Sequence, residues 1–553
     1  RNVALGYAAL STHNTATSVD SYNIGIGYNA GGAVTTGVEN TLIGGLAGDA
    51  LTSGSGNVVV GKSALTADTL GKDNVAIGQN ALFSQNFTTA TSAYNVAVGK
   101  NAGLSITTGI QNTLIGGLAG DAITTGNYNI GVGYGALSAD TLGNKSVAVG
   151  REALFNQNFT TATDAFNTAV GYSAGVSITT GQYNTLLGGL AGDALTTPNH
   201  NVAVGYSALT ADTQGTSSVA VGRFALGAQN FTTATDVYNV GVGFNAGVSV
   251  TTGVNNVLVG GLAGDAITDA DFNVAVGTGA LGTNTTGSRS VAVGEGALLV
   301  QNPATAENMH NTAVGFQAGT AVTTGVSNTI VGGLAGDAMT TGSNNTFVGR
   351  SAAGSGTVTG SDNTAIGFLA GDSLTSGSNN LLLGHDSGIT GSPGGNINNE
   401  SNEIVLGDEN ISEAHIQVDW TVASDERDKT DFVDLDLGLD FVKALEPVTY
   451  YWDKRSKYGD KYAEDYDLDA QTPDGTHKED WMDVGFKAQA VQALEEAAGY
   501  TSAANKNLTI STTDDGKQMG IQYSKFVPIL VKAIKDQDTI ITALTARVAA
   551  LES

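Results

Sequence analysis

The sequence predicts a mainly β protein: a repetitive β-solenoid shaft followed by a separate α+β domain that ends in a coiled-coil helix. Three observations carry this. A strand-like motif recurs at fixed spacing over nearly 380 of the 553 residues. Gly is abundant, with 76 copies, while Pro is scarce, with 6. Charge is concentrated at the C-terminal end, where residues 1–423 hold 27 acids and 9 bases and residues 424–553 hold 25 acids and 15 bases. Two kinds of protein are thus joined before Ser424.

The repeat unit is Asn-Val-Ala-Val-Gly-x-x-Ala-Leu and close variants, as at Asn57–Gly61, Asn74–Gly78 and Asn95–Gly99. Its anchor glycines run from Gly6 and Gly27 to Gly384, mostly 17 residues apart, with a step of 21 closing a 72-residue cassette: Gly27, Gly99, Gly171, Gly243 and Gly315. Seventeen residues are too few for a helix-pair repeat. The small and β-branched core suits a short strand, and the flanking Asn and Gly suit turns. Stacked at about 4.8 Å per coil, such units build a shaft roughly 100 Å long. One coil cannot bury its own apolar face, so stability comes from stacking and from other chains.

Composition excludes several classes. Gly without a three-residue period and with little Pro is not collagen. An apolar share of 41% with only 14% charged residues is a folding composition. With no Cys there is neither a disulfide framework nor a Cys-based zinc site. A net charge of −28 offers nothing to neutralise a row of phosphates, so no nucleic-acid partner is expected. No apolar run is long enough for a membrane span. Because Arg1 already lies inside a repeat, the sequence reads as the C-terminal part of a longer protein.

Two cassette features are candidates for function. An Asp closes each Gly-Gly-Leu-Ala-Gly-Asp, at Asp49, Asp121, Asp193, Asp265 and Asp337. It is either a cation ligand or, as we favour, a turn residue accepting backbone N–H bonds. The four-residue expansion carries Gln85-Asn86-Phe87, then Gln157-Asn158-Phe159 and Gln229-Asn230-Phe231, and degenerates at Gln301-Asn302-Pro303. Its Phe either stacks on a sugar or, as we favour, folds back over the roll. Acids in the repeats are sparse and recur with the cassette, so no coil offers a local carboxylate pair for glycan hydrolysis. The six histidines, 13, 200, 310, 385, 415 and 477, show no metal-ligand spacing, and no metal or cofactor is expected.

The repeated Asn-x-Ala-Val-Gly-x-x-Ala resembles the head repeats of trimeric autotransporter adhesins, which implies a parallel β-roll shared by three chains. After Gly384 the repeat decays through a Gly/Ser/Asn-rich loop into Asn402–Gly407, a last strand-like coil. Residues 385–423 read as a distal tip or neck. Ser424-Asp425-Glu426-Arg427-Asp428-Lys429 then opens a segment that resembles the intramolecular chaperone, auto-processing domain of endosialidase-type phage tail fibres and tailspikes. The resemblance continues through Leu439–Trp452, Val484–Val491 and Ile521–Leu530. The acidic stretch Tyr462–Trp481 holds Asp467-x-Asp469 but fails as a calcium loop, with Thr472 where Gly is needed and Lys478 where Glu is needed.

The resemblance implies a single intramolecular cut between Ala423 and Ser424, with Ser424 as nucleophile and Lys429 as base. A serine hydroxyl attacks only once a base takes its proton, and a lysine serves when desolvation lowers its pKa. Asp425, Glu426, Arg427 and Asp428 read as structural or pairing residues. Val527, Leu530, Ile534, Gln537, Ile541, Leu544, Val548 and Leu551 step alternately by 3 and 4, an a/d heptad seam over about 526–553. β-Branched residues at a with Leu at d lean towards two strands, and the resemblance implies three. The expected organisation is a shaft over 1–384, a tip or neck over 385–423, and a chaperone domain over 424–553. The resemblance further implies a homotrimeric virion tail fibre that binds a host cell-surface receptor and attaches to other tail proteins. Alternatives are a bacterial trimeric surface adhesin, a glycan-degrading tailspike and, least of all, a self-cleaving membrane-tethered transcription factor.

Overall fold

Each Val-Ala-Val core forms a three-residue strand, and each strand pairs in parallel with the one a coil further along. In the computed structural model, Ile24 faces Thr41, Thr41 faces Val58, Val58 faces Val75 and Val75 faces Val96. Those offsets are the three shorter steps and the one longer step of the cassette, so the sequence period is the coil length. The structure describes residues 1–15, 19–418, 420–463, 465–501, 508–513 and 515–552. The chain divides into two compact units, Arg1–Thr341 and Gly342–Ser553.

The first unit is β-solenoid throughout, from the strand Val3–Leu5 to the strand Thr329–Val331. From the second strand on, the central residue of each three-residue strand points inward: Leu42, Val59, Ala76 and Ala97 are fully buried. The anchor glycines cannot be replaced by any other residue without strain. Gly99 has φ +139°, and a Cβ there would lie 2.4 Å from the carbonyl oxygen of Gly116 in the next coil. Left-handed backbone at coil corners is also imposed on leucines. Leu65, Leu82 and Leu154 adopt φ 49° with their side chains fully buried. Burying a leucine is worth about 1.5–3 kcal/mol, which offsets the roughly 1–2 kcal/mol of that conformation.

The Asn that precedes most strands, replaced by Ser at 146, 218 and 290, is more than a turn residue. It belongs to a buried ladder running along the solenoid. Asn112 accepts from the Asn129 backbone N–H at 3.0 Å and donates to the Gly126 carbonyl at 2.9 Å, and its own N–H reaches Asn95 Oδ1 at 2.9 Å. The same pattern joins Asn23, Asn40, Asn57 and Asn74. Every rung satisfies backbone groups that would otherwise be buried unpaired.

The four-residue expansion is locked inward. Phe87, Phe159 and Phe231 are buried, so the aromatic folds back over the roll. Beside it, Asp68 Oδ2 accepts from Gln85 Nε2 at 2.7 Å, and Gln85 Oε1 accepts from Asn95 at 2.8 Å. Asp140–Gln157–Asn167 and Asp212–Gln229–Asn239 repeat the network. Burial pushes the Asp140 carboxyl up, against hydrogen bonds from Gln157 and backbone N–H groups that pull it down.

The second unit begins with four more parallel strands, Thr346–Val348, Thr364–Ile366, Leu381–Leu383 and Ile404–Leu406. Thr346 faces Thr364, Thr364 faces Leu381 and Leu381 faces Ile404. That last step is longer than any in the cassette, which is the decay of the repeat seen in sequence. The α+β part follows. Helix α1 (Leu439–Ala444) leads into the strand Val448–Tyr450, which pairs antiparallel with Asp483–Gly485. Helix α2 (Ala488–Ala497) is followed by the antiparallel pair Ile510–Thr512 and Met519–Ile521, and α3 runs Phe526–Glu552. Leu437, Phe441, Val491, Ile510, Phe526 and Ile529 form its core. Glu495, fully buried in that core, accepts from the Thr509 N–H at 2.7 Å and hydroxyl at 2.6 Å. Helix α3 buries only Phe526, Ile529 and Ala533, and the seam residues Val527 and Leu530 of its first turns are already exposed. Its seam from Ile534 through Ile541, Leu544 and Val548 to Leu551 is exposed on the single chain. No helix among the described residues is long and apolar enough to cross a membrane.

Candidate functional site

The site begins with a tight turn. Asp425 caps the 3-10 turn Glu426–Asp428 by accepting from the Arg427 N–H at 2.9 Å. The same carboxylate takes the Arg427 guanidinium, with Nη2 at 2.6 Å and Nε at 3.1 Å. This fork holds the Asp425 carboxyl below its ordinary value and raises the guanidinium's. Asp425 and Arg427 therefore pair with each other. The turn folds the chain back so that Lys429 Nζ comes within 2.5 Å of Ser424 Oγ and 3.3 Å of the Ser424 carbonyl oxygen.

Ala423, Ser424 and Lys429 all lie exposed on the single chain. The Lys429 amine donates to the serine hydroxyl oxygen. To act as a base it must lose water, and within one chain nothing covers it among the described residues. Ser424 and Lys429 are thus adjacent, on a surface that is exposed within the single chain.

At Asp49, Asp121 and Asp193 the carboxylate of Gly-Gly-Leu-Ala-Gly-Asp reaches across to a hydroxyl. Asp121 accepts from the Ser138 hydroxyl and Asp193 from the Thr210 hydroxyl, both at 2.5 Å and one coil away. Asp49 takes Thr66 in the same way. These are bonds between coils, made in addition to backbone N–H bonds of the kind the turn reading expects, which Asp193 and Asp265 accept.

One cluster escaped the sequence reading. His385-Asp386 follows the strand Leu381–Leu383, and Asp408-Glu409 follows Ile404–Leu406, one coil on. Strand register sets the two pairs side by side, with Leu383 facing Leu406 just before them. His385 Nδ1 lies 3.2 Å from Asp408 Oδ2 and 3.4 Å from Asp386 Oδ2. Lys461 reaches in from the acidic stretch, 2.7 Å from both Asp386 Oδ2 and Glu409 Oε1. Tyr462 donates to Asp386, and Lys454 to the Glu409 carbonyl. Desolvation and the nearby Asp386 carboxylate push the Tyr462 phenol up to about 12. Desolvation would raise the Asp408 carboxyl, but hydrogen bonds from Asn410 and His385 outweigh it and hold the group below its ordinary value. Spacing alone could not have found this cluster, because it is made by a coil of irregular length.

Residues 424–500 match the family model of the chaperone of endosialidase. No curated protein and no solved structure matches the chain. The C-terminal region is therefore similar to a chaperone domain of the endosialidase type, carried behind a β-solenoid.

Proposed function

We propose that the chain is a tail-fibre- or tailspike-type host-attachment protein whose residues 424–553 drive assembly of three chains and then release themselves by one cut before Ser424. The observation that carries this is a coincidence of position. The match to the chaperone family starts at Ser424, and Lys429 touches the Ser424 hydroxyl there.

On this reading the exposed seam of α3 associates first, and the three shafts are held in register while slow parallel stacking proceeds. Closure of the trimer desolvates Lys429, and its amine then takes the Ser424 Oγ proton. Oγ attacks the Ala423 carbonyl carbon, the C–N bond breaks as the Ser424 amine gains a proton, and water hydrolyses the resulting ester. The solenoid, residues 1–384, stays as the shaft and presents the receptor-binding surface together with residues 385–423. Without its chaperone the released shaft refolds slowly, so it persists kinetically.

The test is mass. The chain of 55.8 kDa should convert to two fragments meeting at Ala423/Ser424, and Ser424→Ala or Lys429→Ala should leave it whole. A wild-type chain that stays at full mass after assembling overturns the cut.

A further inference from the structure

We propose that His385, Asp386, Asp408 and Glu409 form a divalent-cation site at the end of the solenoid, which Lys461 fills as a built-in cation. The donors are spaced for a metal. Zinc–nitrogen and zinc–oxygen bonds of about 2.0–2.2 Å in a tetrahedron place neighbouring donors about 3.3–3.6 Å apart. His385 Nδ1 stands 3.4 Å from Asp386 Oδ2 and 3.2 Å from Asp408 Oδ2. The three side chains offer ligand atoms that all lie within 4.8 Å of one another.

The charge balance points the same way. Asp386 has a fully buried side chain and Glu409 a nearly buried one, and burying carboxylates is costly unless a cation compensates. Lys461 satisfies one oxygen of each, while Asp386 Oδ1 and Glu409 Oε2 are buried without a hydrogen-bond partner. An ammonium directs its donors at single oxygens, whereas a metal ion binds more lone pairs of the same carboxylates. Supporting residues already orient the donors. His385 stacks on Phe368 with ring centroids 5.4 Å apart, and Asn410 Nδ2 donates to Asp408 Oδ2 at 2.7 Å. An open cleft of about 500 Å³ flanks Lys461 and gives solvent a way in. One imidazole among carboxylates favours a first-row ion such as Zn²⁺ or Co²⁺ over Ca²⁺, which takes oxygen donors.

Lys461 lies downstream of Ser424. If the proposed cut occurs, release of the domain removes Lys461 and opens the site on the mature fibre; only this second half rests on the cleavage reading. The test separates the two. Ser424→Ala chains carrying Lys461→Ala, or Lys461→Met to keep the aliphatic stem, are titrated with Zn²⁺ and with Co²⁺, whose visible absorption reports its coordination. Correct folding is checked by circular dichroism. One equivalent per chain is expected, with at least tenfold weaker binding in chains that keep Lys461. Adding His385→Ala or Asp408→Asn should weaken it at least tenfold again and remove the Co²⁺ band. Binding absent from both folded Lys461 variants, or indifferent to His385 and Asp408, overturns the site. Whether the wild-type chain is cut is read separately by mass, so either idea can fail alone.

Discussion

Replacing Asn112 by Ala should cost a large part of the solenoid's local stability. The side chain is fully buried and holds two backbone groups of neighbouring coils, the Asn129 N–H at 3.0 Å and the Gly126 carbonyl at 2.9 Å. Its removal takes a partner from each, and a buried unsatisfied group costs about 1–3 kcal/mol, so the variant should lose about 2–6 kcal/mol per chain. Even the lower figure is a factor of about 30 in the unfolding equilibrium. Asn112→Asp is the sharper variant. It keeps the acceptor for Asn129 but turns an oxygen towards the Gly126 carbonyl and buries a charge, so at neutral pH it should be worse than Ala. Its carboxyl should titrate high, and stability should return as pH falls and the proton restores a donor. The control is Asn127→Ala. That half-buried Asn accepts from the Ile110 N–H at 2.8 Å, where water can replace it, and about 1 kcal/mol or less is expected. The assay is denaturant unfolding of the purified chain by circular dichroism, with unfolding rates where refolding is incomplete. An Asn112→Ala chain as stable as wild type, within the small margin typical of inconsequential surface substitutions, refutes the ladder as a source of stability.

Asp140→Asn should come closest to wild type at acid pH, where the carboxyl is also uncharged, because burial raises the Asp140 carboxyl and the equivalent residue two cassettes further on is already Asn284, which accepts from the Gly287 N–H at 3.0 Å. The sign follows from linkage: a carboxyl raised above its unfolded value favours the folded state most when protonated, and that contribution is lost as pH rises through its folded pKa. Wild type should therefore lose stability relative to Asp140→Asn as pH rises from the ordinary carboxylate range towards neutrality, and a difference that stays flat would contradict the reading. Leu544→Asp places a charge in the exposed seam of α3, so it should barely change the fold of a single chain while abolishing association, read by light scattering after size exclusion. Association at unchanged strength would show that the seam is not the contact.

The solenoid was legible because its signals are local and redundant. Val-Ala-Val-Gly with Asn before it recurs often enough that period, strand and turn each follow from several copies. The helix α3 was legible through its seam, since apolar steps of 3 and 4 need no tertiary knowledge. What escaped were features in which one coil acts on the next. Asn suits a turn and the sequence reading stopped there, yet stacking turns the same residue into a ladder, because identical side chains above and below can exchange donor and acceptor. Asp121 showed the same limit, taking a hydroxyl a full coil away. His385 and Asp408 were invisible for the opposite reason: the step that separates them matches neither the coil nor the cassette. At Ser424 and Lys429 a five-residue spacing carries little information by itself, and the Asp425–Arg427 fork that closes the turn is a detail only the structure supplies.

The ladder also accounts for where the solenoid stops. In the last coil the Asn position holds Glu403, whose N–H still takes the bond from Asn380 Oδ1 at 2.9 Å. The rung is completed downward, but the exposed glutamate offers no amide to the next carbonyl. A further coil stacked there would bury an unpaired carboxylate, a cost far above the roughly 1 kcal/mol that a strand pairing returns. Ile404 and Leu406 beside it are 65% and 48% exposed, an apolar strand edge of the kind that otherwise invites another chain. Glu403 therefore does for this edge what charged residues do on sheet edges generally, and it does so one residue before the final strand. Termination is written at that substitution and not at Gly384, where the spacing decays, because the strand Ile404–Leu406 still pairs in full register with Leu381–Leu383 after the longer step. The carboxylates Asp408 and Glu409 then sit, buried, on the coil that cannot be covered by a repeat, where the ammonium of Lys461 meets Glu409.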